Sequence, residues 1–123
     1  MLLFSACTAK NQVPQGMDES KLIRQAHEII ELTNSQDYEA VQLRFKDDLR
    51  AQITIQQFQT AIEPYLDNAG EFSEYKKESI LTQKDSNGEE YAVVIVIAKY
   101  KNSNITYTIS FDKEYNCIGF YLK

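Results

Sequence analysis

The sequence predicts an α+β domain: three N-terminal helices packed against a curved four-stranded antiparallel sheet. Three observations predict it. Apolar residues recur at helical spacing between Glu19 and Ala69, and at strand spacing between Phe72 and Leu122. Short polar clusters containing Asn, Asp or Gly then divide the second half into four segments. Helices that precede strands, rather than alternating with them, define this class.

The first helix is predicted over Glu19 to Asn34, with Asp18 or Ser20 as its cap. Leu22, Ile23, Ala26, Ile29, Ile30 and Thr33 form its apolar stripe, and Asn34-Ser35 ends it. A second, short helix covers about Gln36 to Phe45 with Tyr38, Val41 and Phe45 inward, and Lys46 to Arg50 reads as a single turn. Thr54-Ile55-Gln56-Gln57 is a capping box, with threonine at the cap and glutamine three residues on. It opens a third helix whose buried face is Ile55, Phe58, Ile62, Tyr65, Leu66 and Ala69, and Gly70 stands where a left-handed cap is wanted. Pro64 removes a backbone donor within this helix and clashes with the preceding turn. The stripe continues past it, so the expectation is one helix bent near Thr60 to Pro64 rather than two.

The first strand is expected over Phe72 to Gln83, followed by the turn Asp85-Ser86-Asn87-Gly88. The second, Glu90 to Lys101, is apolar in both phases from Ala92 to Ala98, which predicts a central strand covered on both faces. The third, Asn104 to Asp112, alternates with Ile105, Tyr107, Ile109 and Phe111 inward. A turn at Lys113 to Asn116 leads to a last strand, Ile118 to Leu122. Short turns between consecutive strands make an antiparallel meander.

Composition bounds the function. After a polar N-terminal stretch about 105 residues remain, enough for one domain with one core. The net charge of −5 argues against nucleic acid as a partner, because phosphate binding needs a basic stripe. It also argues against electrostatic attraction to anionic lipid. Asp47-Asp48 and Glu89-Glu90 lack the spacing of a calcium loop, and no zinc, redox or phosphate-cradling motif is present. Neither a metal nor a cofactor is therefore expected.

The start of the chain suggests an address. Phe4-Ser5-Ala6-Cys7 places small residues directly before a cysteine, as at the end of a bacterial lipoprotein signal, although no basic residue precedes it. Residues 1–7 are read as the remnant of that signal and Cys7 as the lipid attachment site. Residues 8–18 (TAKNQVPQGMD) are polar and without period, and are expected to form a flexible tether of roughly 18 Å root-mean-square span. Residues 19–123 form the domain. Two acyl chains anchor a protein stably where one does not, so the expected partner is the membrane, through lipid on Cys7, on the extracytoplasmic side. Cys117 is then unpaired and is read as a buried thiol.

At the level of motifs, the chain resembles domain-of-unknown-function family 3887, bacterial extracytoplasmic domains with a fold like nuclear transport factor two. The resemblance runs from about Lys21 to Leu122. It is carried by Gln36-Asp37-Tyr38-Glu39-Ala40-Val41, Phe45-Lys46-Asp47-Asp48-Leu49-Arg50, Ile53-Thr54, Ala69-Gly70-Glu71-Phe72, and Phe111-Asp112 through Ile118-Gly119-Phe120. Two family glycines are missing: one is replaced by Gln36, the other falls in the last turn. The resemblance implies a cone, a bent sheet closing over a long helix and often leaving a pocket. It implies no activity.

Candidate functional residues follow. Tyr38, Tyr65, Tyr107, Phe111 and Phe120 are candidates to line such a pocket, with plain core packing as the alternative for the same rings. Tyr75, Tyr91, Tyr100 and Tyr121 are candidates for an outer patch that would pair two copies through the sheet. His27, the single histidine, sits at the edge of the first stripe; as a base it would need an acidic or tyrosine partner. The functional expectation is a membrane-anchored, non-enzymatic domain that binds a small ligand or an envelope protein. The alternatives are a small pocket enzyme of the ketosteroid isomerase or dehydratase type, and a structural dimerisation module.

Overall fold

The Asp18 carboxylate accepts from the Lys21 N–H at 2.9 Å and starts the first helix. Thr54 and Gln57 cap another by exchanging side-chain and backbone hydrogen bonds, satisfying two otherwise orphaned donors. The computed structural model describes residues 11–123. In chain order these form α1 (Glu19–Asn34), α2 (Tyr38–Leu43), α3 (Asp47–Arg50), α4 (Ile55–Ala69), β1 (Phe72–Lys84), β2 (Glu90–Tyr100), β3 (Asn104–Phe111) and β4 (Cys117–Leu122). α4 runs unbroken through Pro64, and the turn expected at Lys46 to Arg50 is the four-residue α3. Cys7 and residues 8–10 of the expected tether lie outside the described residues.

The strands form one antiparallel sheet in the order β1-β2-β3-β4. Its inner face presents Ile80 from β1, Ala92, Val94, Val96, Ala98 and Tyr100 from β2, and Ile105, Tyr107, Ile109 and Phe111 from β3, all buried. Against them α1 lays Leu22, Ala26, Ile29 and Ile30, while α4 contributes Phe58, Ile62 and Ala69. Thr33 is buried too, and its hydroxyl bonds back to the Ile29 carbonyl at 2.8 Å. Register shifts near both ends of the chain's β region, at Phe72/Glu74, Tyr75/Lys77 and Ser110/Phe111, mark bulges that re-aim the strands.

Gly70 does not adopt the expected left-handed helical cap. At φ 85°, ψ −151° it occupies a region open essentially to glycine alone. A Cβ there would also meet the Asn102 side chain at 3.0 Å. Both constraints arise because the β2–β3 turn packs on this junction, with the Asn102 N–H bonded to the Ala69 carbonyl at 2.8 Å. Two non-glycine residues hold positive φ, Gln36 at 62° and Tyr115 at 65°. Gln36 is the position at which the family's glycine is missing, and Tyr115 lies in the last turn.

Three expectations are corrected. β2 is covered on one face only: Val93, Ile95 and Ile97 remain partly exposed on the other. Its continuous apolar run therefore reflects a core face plus a bare apolar face. Ile55 and Tyr65 are not in the core, at 40% and 43% exposed. Ile55 lies in the first turn of α4, and Tyr65 keeps its ring at the margin of the helical layer, as an amphipathic side chain can. The tether is shorter than composition suggested. The Gln12 N–H donates to the Ile80 carbonyl at 2.9 Å, Asn11 Oδ1 accepts from the Ile80 N–H, and the Thr82 hydroxyl donates to the Gln12 carbonyl. Pro14 is buried, and Val13 and Met17 pack on the core, so residues 11–17 belong to the fold.

Candidate functional site

The inside of the shell is filled by the chain's own aromatic rings. Phe58 meets Tyr38 edge-on at 5.7 Å and Phe45 at 5.6 Å, and lies 5.4 Å from Phe120, which in turn sits 6.0 Å from Tyr107. Such spacings are those of packed aromatic pairs. Of the five residues expected to line a pocket, Tyr38, Tyr107 and Phe111 are buried, Phe120 packs against the same core, and Tyr65 faces solvent. None of the five lines the four best-defined clefts among the described residues. Four of the five thus pack into or against the core, the alternative reading of these positions, and Tyr65 does not.

Deep in this interior the Tyr107 hydroxyl lies 2.6 Å from that of Tyr100, which donates to Asn34 Oδ1 at 2.5 Å. Burial pushes the Tyr75, Tyr100 and Tyr107 hydroxyls above the ordinary tyrosine range. All three are thereby held as neutral hydrogen-bonding groups. Tyr75 and Tyr100 were expected on the outside. Tyr91 and Tyr100 are nine residues apart on one strand, and an odd separation puts them on opposite faces. Tyr75 is turned inward beside the Tyr75/Lys77 register shift and stacks on His27, with ring centroids 3.7 Å apart and planes within 3°.

His27 has the acidic partner that a functional reading required. Its Nε2 lies 2.5 Å from Glu78 Oε2, and both side chains are about a quarter exposed (24% and 27%). The pair joins α1 to β1 beside a shallow groove lined by Ser20, Ile23, Arg24, His27, Glu28 and Glu31. This places a carboxylate-held imidazole at a surface, with no serine, threonine or cysteine side chain bonded to it among the described residues.

Two clefts flank the sheet. At the mouth of the shell, about 360 Å³ opens between Asn34, Leu66, Gly70, Phe72 and Tyr100. At the opposite end, about 560 Å³ lies among Lys46, Leu49, Tyr91, Asp112, Lys113 and Ile118. Asp112 there is engaged by the chain itself: it accepts from the Glu114 and Asn116 N–H groups at 3.0 and 2.9 Å and pairs with Lys46 at 3.2 Å. Among the described residues no cluster of three His, Cys, Asp or Glu is arranged to hold a metal.

The outer face of the sheet stands apart from all of these. Register places Leu81, Val93, Ser110 and Gly119 in one row across the four strands, and Ser79, Ile95, Thr108 and Tyr121 in the next. Neither row carries a charge. Leu81 is 40% and Tyr121 61% exposed, and no element of the described chain covers them. Sequence reading noted the two-phase apolar run of β2 but assigned it to burial, because a strand's pattern does not say whether its second cover comes from its own chain.

Fold and surface together define an α+β domain with a packed interior and a bare sheet face whose centre is neutral. The chain matches the model of a family described as "Protein of unknown function (DUF3887)" over residues 26–120 and belongs to that family. It is also similar to a protein from Ruminococcus gnavus ATCC 29149 known from an NMR structure, with a TM-score of 0.78 and 31% sequence identity over 91% of this chain and 96% of that one. No curated protein matches it. Among the described residues no helix is long and apolar enough to cross a membrane.

Proposed function

We propose that this chain is an extracytoplasmic domain, anchored to the membrane by lipid on Cys7, that acts by contacting a protein partner rather than by catalysis. The observation that supports the binding role is the pairing of a filled interior with a half-exposed sheet face whose centre is neutral. Inside the shell a small ligand would have to displace core rings, whereas a protein can bury Leu81, Val93, Ile95 and Tyr121 on the sheet directly. The anchor rests on Phe4-Ser5-Ala6-Cys7. The docked residues 11–17 add to it: only Thr8, Ala9 and Lys10 would separate lipid from folded domain, a reach of at most about 14 Å.

Two measurements test this reading. Mass spectrometry of the N-terminal peptide from native membranes is expected to find Cys7 lipidated; a soluble chain with a free Cys7 thiol overturns the anchor. Backbone NMR with a small-metabolite library is expected to show no saturable shifts at Tyr38, Tyr107 or Phe120. Saturable shifts there would return the small-ligand role.

A second reading, a small enzyme, draws on the His27–Glu78 pair. It requires that His27→Gln abolish some turnover while leaving the fold intact.

A further inference from the structure

We infer that the partner for the outer sheet face is a second copy of this chain. The two copies would meet face to face, strands antiparallel, about a two-fold axis running across the strands. The inference rests on the proposed contact role of this face and names its occupant.

Three observations carry it. The first is the neutral centre. The rows Leu81–Val93–Ser110–Gly119 and Ser79–Ile95–Thr108–Tyr121 are built from apolar, hydroxyl and glycine positions only. A cationic or anionic partner would find nothing to pair with there. Another copy of the same surface would leave no buried charge unpaired.

The second is the distribution of charge around that centre. The end of the sheet where β1 starts and β2 and β4 finish carries Lys76, Lys77, Lys99, Lys101 and Lys123 against Glu71 and Glu74. The opposite end, at the β1–β2 and β3–β4 turns, carries Asp85, Glu89, Glu90 and Glu114 against Lys84 and Lys113, while Asp112 there is paired with Lys46 of its own chain. With the axis across the strands, each basic end lies over the partner's acidic end. With the axis along the strands, like ends would meet. The surface is thus self-complementary in one orientation, as an isologous contact requires.

The third is that edge pairing is obstructed. Residues 11 and 12 bond to β1 at Ile80. On the other edge, Cys117 of β4 exchanges backbone bonds with Arg44 and Lys46. Two copies cannot extend one sheet through these positions, so the face is the available route. Four strands about 4.8 Å apart and seven residues rising about 3.3 Å each present roughly 19 by 23 Å. Two such faces amount to nearly the 1,000 Å² or so that a specific contact needs. Solution affinity should accordingly be modest, and anchoring both copies in one membrane would raise their effective concentration.

The test is sedimentation velocity on the full chain with Cys7→Ser to keep it free of lipid, read against the 14.2 kDa monomer. A reversible dimer is expected at tens of micromolar protein. Ile95→Lys and Thr108→Lys, both at partly exposed positions, are each expected to weaken it at least tenfold with an unchanged circular dichroism spectrum. Lys77→Glu with Lys99→Glu should weaken it, and adding Glu89→Lys with Glu114→Lys should restore it. A chain that stays monomeric at 1 mM overturns the inference, and so does a dimer indifferent to both face variants. A monomer that still carries lipid on Cys7 in cells leaves the anchored-domain reading standing, with its face open to a different protein.

Discussion

The hydroxyls of Tyr100 and Tyr107 meet at 2.6 Å inside the shell, and Tyr100 hands its own hydrogen to Asn34 at 2.5 Å. The order of donation therefore runs from Tyr107 through Tyr100 to Asn34, which makes the two tyrosines unequal. Tyr107→Phe removes a terminal donor, and Tyr100 keeps its acceptor. This change is expected to cost about 1 kcal/mol. Tyr100→Phe leaves the fully buried Tyr107 hydroxyl without a partner and should cost about 2 kcal/mol, nearer the desolvation penalty of an orphaned group. The double variant should cost less than the two singles together, because it removes the orphan along with the bond. Urea denaturation of the four proteins measures the cycle, and strict additivity would show that the two groups do not interact.

Gln36 tests the link between backbone geometry and family pattern. Its φ of 62° places an L-residue in the left-handed region, which costs roughly 1 kcal/mol against glycine. Gln36 is exposed. Gln36→Gly is therefore expected to stabilise the domain by about 0.5–1 kcal/mol, less than the full strain because glycine also loosens the unfolded chain. The melting temperature should rise by about 2–6 °C. Gln36→Ala keeps the strain and should bring no gain. A melting temperature lowered by the glycine would mean that the side chain contributes more than the backbone loses.

That residue also marks how far the sequence could be read. The capping box at Thr54–Gln57 and the stripe of α1 rest on local spacing, and both stand as expected. The alternation in β3 does too. What the spacing could not supply was distance across the fold. Nothing local distinguishes a ring that lines a cavity from one that fills it, so for Tyr107 and Phe111 core packing and pocket lining both stayed open. The inward turn of Tyr75 depends on a register shift invisible in the strand pattern. Residues 11–17 looked disordered because their anchor, Ile80, lies about seventy positions away. The bare face of β2 was hidden by the same limit: an apolar run says that cover is wanted, not which chain provides it.

Asp112 gives the fold a predictable acid dependence. Burial alone would raise its pKa, but the Asn116 backbone and side chain, the Lys46 ammonium and the Glu114 N–H outweigh that and hold it below the ordinary carboxylate value. A depressed native pKa stabilises at pH above the unfolded value, near 4, and that contribution disappears as pH falls through the native value. Asp112→Asn should therefore cost about 1–2 kcal/mol at pH 7. The gap between it and the wild type should narrow as pH falls below about 4. Stability measured by denaturant at pH 7, 5 and 3 checks both statements; a gap that widened toward acid would reverse the sign and refute the account.

Cys117 should be chemically silent while the chain is folded. It is wholly buried in β4, and burial pushes its thiol up to about 12, with only the Gly119 backbone acting in the other direction. At pH 8 the thiolate, the form that reacts, is therefore scarce, and it would be walled off by Phe45 and the β3–β4 ladder. In a chain with Cys7→Ser, a chromogenic disulfide reagent is expected to report no free thiol in native buffer and one in 6 M guanidinium. The native labelling rate should follow the rate or extent of transient opening rather than reagent access. The same silence separates the two ways this chain could dimerise. A dimer that survives reductant unchanged is held by the sheet face, whereas one that dissolves in reductant would mean that Cys117 had become exposed, against the burial on which this prediction stands.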